Sequence, residues 1–109
     1  MALRFLGRGG SEASGCPSIY ETDEGSFLVQ GWVTGRPDVV EIPHLLTGFV
    51  PDDAFLGATL TDTGRGTFSI NGRPVVDAET LGQLELAEDE AAVEVEKKVR
   101  TYFGAAGRE

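Results

Sequence analysis

The sequence predicts an α+β domain in which one small unit of β-hairpin, short strand and short helix is written twice, the two pseudo-repeats forming one core. Three observations carry this. Residues 19–34 return 41 positions later as residues 60–75: Thr22 meets Thr63, Gly25 meets Gly66, Phe27 meets Phe68 and Gly31 meets Gly72, with Glu21/Asp62, Ser26/Thr67, Val29/Ile70 and Gln30/Asn71 as conservative pairs. Val40-Glu41-Ile42 is echoed by Val93-Glu94-Val95, and Phe49 by Tyr102. Fifteen glycines and five prolines in 109 residues imply many turns, which favours a β-rich or α+β chain over a helical bundle.

In order along the chain, Leu3 and Phe5 alternate as a short edge strand would, and the Gly/Ser stretch 7–15 reads as a flexible loop ended by Pro17. Residues 18–22 and 26–33 read as a hairpin, with Gly25 supplying the positive φ of its turn. Period-two alternation sends Phe27, Val29 and Val33 to one face and Leu28, Gln30 and Trp32 to the other, while Gly31 marks a bulge or a close backbone approach. Residues 39–42 form a short strand. Pro43 suits a helix start, and Leu45, Leu46 and Phe49 have helical spacing that Gly48 and Pro51 limit to about two turns.

Residues 51–57 connect the repeats. The second unit opens with strands 58–63 and 67–70 around Gly64-Arg65-Gly66. At Asn71-Gly72 the strand either continues, as the repeat implies, or reverses in a type I′ turn into a third strand over 73–76; the turn is the preferred reading. Asp77 suits the N-cap of a helix carrying Leu81 and Leu84, followed by a solvated acidic loop over 85–90. A strand over 92–96 and a helix over 97–103, capped by Gly104, complete the unit. The expected organisation is a single domain over 1–109, with pseudo-repeats 18–50 and 58–104 and connector 51–57.

The chain carries a formal net charge of −9 and no clustered basic face. Direct nucleic-acid binding is therefore disfavoured. One cysteine precludes an intrachain disulfide, no run approaches the ~18 apolar residues of a membrane helix, and the apolar start is too short for a signal peptide. The expected setting is cytoplasmic, without membrane association.

Candidate chemistry is sparse. Cys16 and His44 are the one thiol and the one imidazole, and nothing in their spacing links them. Glu88-Asp89-Glu90 and Asp52-Asp53 lack the alternating ligands and central glycine of a calcium loop, so no metal site is expected. Gly64-Arg65-Gly66 matches no phosphate-binding loop. Lys97-Lys98-Val99-Arg100 reads as a source of local ion pairs. No catalytic residue and no cofactor are assigned. Leu28 and Trp32 stand apart: the second repeat has Ser69 and Arg73 at these positions, so only one copy is apolar there. Either residues 5–6 or 55–56 cover this pair, or it is an interface.

The stretches Arg4-Phe5-Leu6-Gly7, Gly15-Cys16-Pro17-Ser18-Ile19-Tyr20-Glu21-Thr22-Asp23 and Val29-Gln30-Gly31-Trp32, followed by Val39-Val40-Glu41-Ile42-Pro43 and Leu45-Leu46, resemble small uncharacterised proteins of filamentous high-GC Gram-positive bacteria. Those proteins are single units with a helix after the Gly-Trp. This chain lacks that helix in its first unit and carries a second, diverged unit. The resemblance implies genes beside helix-turn-helix regulators, hence a regulatory or accessory role, and carries over no catalytic residue. The Val-Glu-Ile-Pro segment is also similar to that of swapped-hairpin transition-state regulators, whose basic DNA face is missing here.

The expected function is a non-enzymatic protein-interaction or accessory regulatory module. Its partner would be another protein, such as a DNA-binding regulator, or a second copy in a homodimer. The alternative is a small-molecule-binding protein or small enzyme using a cleft between the repeats, lined by Tyr20, His44 or Cys16.

Overall fold

The structure, a computed structural model, describes residues 1–9 and 16–100. It is a mostly antiparallel β domain, which overturns the α+β expectation. The strands are β1 (Leu3–Arg8), β2 (Ser18–Thr22), β3 (Ser26–Val33), β4 (Val39–Pro43), β5 (Ala54–Gly57), β6 (Leu60–Asp62), β7 (Thr67–Asn71), β8 (Arg73–Pro74) and β9 (Glu90–Val99). A 3-10 helix, His44–Phe49, follows β4, and one turn of α-helix, α1 (Ala78–Leu81), follows β8. The main path through the sheet runs β1-β2-β3-β4-β7-β6, and β9 joins it by pairing with β3, β5 and β8.

The connection between the hairpins is reciprocal. Strand β3 of the first hairpin ladders with β9, the strand that follows the second hairpin: Phe27 faces Val95 and Val29 faces Val93. Strand β7 of the second hairpin ladders with β4, the strand that follows the first: Phe68 faces Ile42 and Ile70 faces Val40. Where β3 turns onto its own β4, Trp32 faces Glu41 and Val33 faces Val40. The corresponding residues of β8 and β9 pair likewise, Arg73 with Glu94 and Pro74 with Val93.

Side chains follow the same rule. Thr22 and Ser26 share a 2.6 Å hydroxyl–hydroxyl bond, and Ser26 donates to the Glu94 carboxylate at 2.6 Å. Thr63 and Thr67 share one at 2.5 Å, and Thr67 donates to the Glu41 carboxylate. A hydroxyl pair at each hairpin mouth thus docks on a carboxylate of the opposite unit.

Alternation places Ile19, Phe27, Val29, Val40, Ile42, Ile70, Val93 and Val95 in one buried cluster, closed by Leu46, Ala54 and Leu56. Each such aliphatic or aromatic side chain contributes roughly 1.5–3 kcal/mol by leaving water. Phe68 differs from Phe27. It is only partly buried and packs against the cluster from its margin.

The corrections to the α+β expectation have separate causes. After Pro43 the chain makes only a 3-10 helix, with no side-chain cap and no acidic residue in its first turn. Such helices are short because their hydrogen bonds are poorly aligned. Leu46 points into the core, while Leu45 and Phe49 lie over Gly9 and Gly7, where an added Cβ would meet them.

Asp77 does cap a helix, accepting from Thr80 N at 3.0 Å, but α1 stops at Leu81 before Gly82. Residues 97–99 are strand, not helix, because β5 supplies a backbone partner, with Ala54 facing Val99 and Leu56 facing Lys97. The connector thereby becomes a strand, and the rest of the expected 97–103 helix lies outside the described residues. Asn71-Gly72 makes no type I′ turn. Positive φ among the described residues is confined to Gly25, Gly64 and Gly66, and Gly72 carries the chain straight on to β8, which pairs with β9.

Candidate functional site

The apolar pair Leu28 and Trp32 lies on the sheet face away from the main core. Leu28 is nevertheless fully buried, whereas Trp32 is half-buried. Phe5 borders this face, opposite Tyr20, which is itself opposite Leu28, while Phe55 lies in β5 and is 42% exposed. The segment after β8 is also tied to this face. Gln30, two residues from Leu28 on the same face, donates from Nε2 to the Glu85 carbonyl at 3.0 Å. Val33 N donates to the Asp89 carbonyl at 2.7 Å. Thr80, fully buried, accepts from the N-terminal ammonium at 3.2 Å, and Gln83 accepts from Leu3 N at 3.2 Å. The second unit's extra residues thus fold back over the first unit's outer face, which explains why only that copy is apolar there.

Under the edge of this cover lies a cavity of about 340 Å³. Its floor is polar. Ser18, 2% exposed, gives its hydroxyl proton to the Cys16 carbonyl at 2.8 Å, and its oxygen is hydrogen-bonded with the Tyr20 hydroxyl. Gln30, also 2% exposed, donates from Nε2 to Glu85 O and to Glu90 Oε1, both at 3.0 Å. Both partners are acceptors, so the amide orientation is fixed, with Oε1 on the other side. That oxygen has no hydrogen-bond partner among the described residues. A buried acceptor left unpaired costs about 1–3 kcal/mol, and this oxygen is enclosed by the chain rather than open to the cavity.

Tyr20 and buried Cys16 wall the cavity, and exposed Arg8 and Glu85 stand at its rim. The Tyr20 ring meets Phe5 edge-on at 5.7 Å, and the Arg8 guanidinium lies over Phe5 at 5.0 Å. Burial pushes the Tyr20 phenol up from its ordinary value, with Ser18 and Arg8 opposing and Glu85 and Glu90 adding to the rise, so its hydroxyl remains protonated. Gln83 is occupied, its amide nitrogen donating to the Met1 carbonyl at 2.7 Å and its oxygen accepting from Leu3 N.

Two of the three residues expected at a cleft, Cys16 and Tyr20, therefore meet at this cavity. The third does not. The His44 ring stacks on Phe68 at 4.2 Å, and its Nε2 lies 3.1 Å from the Thr67 carbonyl and 3.4 Å from the Asp62 carboxylate. Two acceptors around Nε2 place the proton there. The expected cleft between the repeats is also displaced: the cavity sits between the first hairpin's outer face and the 83–85 segment.

Sequence reasoning missed Gln30, Ser18, Arg8 and Glu85. Gln30 carried a signal, an amide in the middle of an apolar strand, whereas Glu85 reaches the site only through the fold. Glu90, expected in a solvated loop, is 7% exposed and accepts from Gln30 and from Ala87 N at 3.0 Å.

A larger groove of about 420 Å³ runs beside Ser26 and β8, but its cations are already engaged: Arg73 with Glu94 at 2.8 Å, Lys98 with Glu96 at 3.0 Å, and Lys97 with Glu21. Among the described residues no three His, Cys, Asp or Glu side chains gather as a metal site would require, and no helix is long and apolar enough to cross a membrane. No family model, no curated protein and no solved structure matches the chain.

Proposed function

We propose that this chain is a non-enzymatic binding module that holds a small polar molecule in the cavity beneath residues 83–85. The observation that carries the reading is the cavity of about 340 Å³ walled by polar side chains, Arg8, Ser18, Tyr20 and Glu85, with the Gln30 amide fixed beside it by two hydrogen bonds. The size agrees, since small-molecule sites begin near ~300 Å³. So does the rigidity: Gln30 sits in mid-strand between β2 and β9, and preorganised sites bind without a large ordering cost. The non-enzymatic part rests on the separation of Cys16, at the cavity, from His44, against Phe68. Of the pair expected to dock a protein, Leu28 is buried and Trp32 half-buried, which favours the cavity over a protein partner.

A panel of polar fragments (amines, amides, carboxylates and amino acids), followed by chemical shifts of the labelled protein, tests this. Binding fragments should move the Gln30 side-chain amide together with Ser18 and Tyr20. Fragments that bind only elsewhere, with these resonances still, would sink the proposal.

A further inference from the structure

Each half of the chain is incomplete without the other. Strand β3 meets its own β4 through two residue pairs but meets β9 of the second half through seven. Strand β8 likewise meets β9 through two pairs, whereas β4 and β7 share five across the halves. Phe27 and Val29 lie opposite Val95 and Val93, and Val40 lies opposite Ile70, all of them buried. A half by itself would leave these side chains in water, which the hydrophobic effect opposes.

One turn makes this pairing intramolecular. Pro51-Asp52-Asp53-Ala54 reverses the chain between the halves, closed by the Ala54 amide donating to the Pro51 carbonyl at 3.1 Å, with Asp52 and Asp53 exposed. The contacts across the halves do not depend on which copy of the chain supplies the second half. That holds for the two ladders, for the Ser26–Glu94 and Thr67–Glu41 bonds, and for the Gln30–Glu85 bond.

We infer that a second copy of this chain is a partner for each half: two copies exchange their second halves, β5 to β9, giving two lobes that each reproduce the fold. The cavity is then built across copies, with Arg8, Ser18 and Tyr20 coming from one and Gln83 and Glu85 from the other. A tether this short sets an effective concentration on the order of millimolar, so the single chain closes on itself in dilute solution. The exchanged pair forms on refolding near that concentration, or when the turn cannot be made.

Two experiments on the full chain test this. In the first, Asp52 and Asp53 are deleted, which removes the centre of the turn. The expected product is a dimer that dissociates only on unfolding, with an amide spectrum matching that of the intact chain outside residues 50–55. A folded monomer, or a dimer that yields folded monomers on dilution, overturns the inference.

The second experiment does not require the deletion variant to fold. Phe27→Asp buries a charge from the first half, Val93→Asp buries one from the second, and each change by itself disrupts the core. Refolded together, the intact first half of the Val93→Asp chain and the intact second half of the Phe27→Asp chain form one native lobe. A heterodimer should appear, with a thermal transition and a dispersed amide spectrum that neither variant gives alone. A mixture that forms no heterodimer overturns the inference.

Discussion

Gly31 is pressed against the backbone of Glu41: a Cβ at Gly31 would stand 2.6 Å from the Glu41 carbonyl oxygen. The same contact occurs between the other two units of the ladder, where a Cβ at Gly72 would stand 2.7 Å from the Glu94 carbonyl oxygen. In both cases the neighbouring strand also presents two aliphatic side chains, Val40 and Ile42 at one site and Val93 and Val95 at the other. A backbone oxygen in a ladder cannot rotate away as a side chain can. Gly31→Ala and Gly72→Ala should therefore each destabilise by about 1–3 kcal/mol, the range for overpacking, measured by urea unfolding. Neutral effects at both positions would mean that the strands do not approach this closely.

Phe27 and Phe68 correspond in register but not in burial. Phe27 is fully enclosed at the centre of the core, and Phe68 is shared between the core margin and the His44 ring. Phe27→Ala should cost about 3–5 kcal/mol and Phe68→Ala clearly less. Equal losses in urea titrations would contradict the marginal placement of Phe68.

How the sequence maps onto this fold depends on the range of the interaction. Hairpin strands, the Gly25 turn and the pairing of positions such as Phe27 with Phe68 rest on alternation and turn chemistry, which are local and readable. Lys97–Val99 has a local pattern that suits a helix, while its strand state comes from β5, more than 40 residues away in the chain. Asn71-Gly72 departs from its local signal for a related reason: a strong turn dipeptide is used instead for close approach to β9.

The candidate site divides the same way. Tyr20 and Cys16 share a segment with Ser18 and could be grouped by sequence. Their meeting with Glu85 depends on an insertion folding across a distant face, and His44 was grouped with them only by residue type.

Glu21 ties three strands together, pairing with Arg4 of β1 and Lys97 of β9 from its own place in β2. The hydrogen bond from Lys97, then that from Arg4, holds its carboxyl below the ordinary value of 4.5. A folded-state value below the unfolded one contributes stability that is present above the unfolded pKa and disappears as pH falls through the folded one. Stability should therefore drop on acidification below about pH 4.5, and Glu21→Gln should reduce both the stability at neutral pH and the slope of that drop. Glu41, lowered chiefly by the Thr67 hydroxyl, acts in the same direction, so the slope should shrink without vanishing. An unchanged acid slope in Glu21→Gln would show that this cluster does not couple β1, β2 and β9.

The cover over Leu28 and Trp32 gives the last prediction. Trp32 faces Glu41 on one side and Glu90 on the other, beside the Val33–Asp89 bond that pins the end of the covering segment. Because the ring is only half-buried, Trp32→Ala should cost about 2 kcal/mol, below the ~3–5 kcal/mol of a fully enclosed aromatic. Replacing residues 78–87 by a short Gly-Ser linker removes the Glu85 carbonyl that holds Gln30 and uncovers Leu28, whose burial contributes roughly 1.5–3 kcal/mol. That variant should be less stable, bind a hydrophobic dye, and show red-shifted tryptophan emission. The intact chain should show an intermediate emission maximum that does not change with protein concentration. Emission that shifts to the blue on concentrating the intact chain, and does not respond to the linker, would mean that a second copy rather than residues 78–89 covers this face.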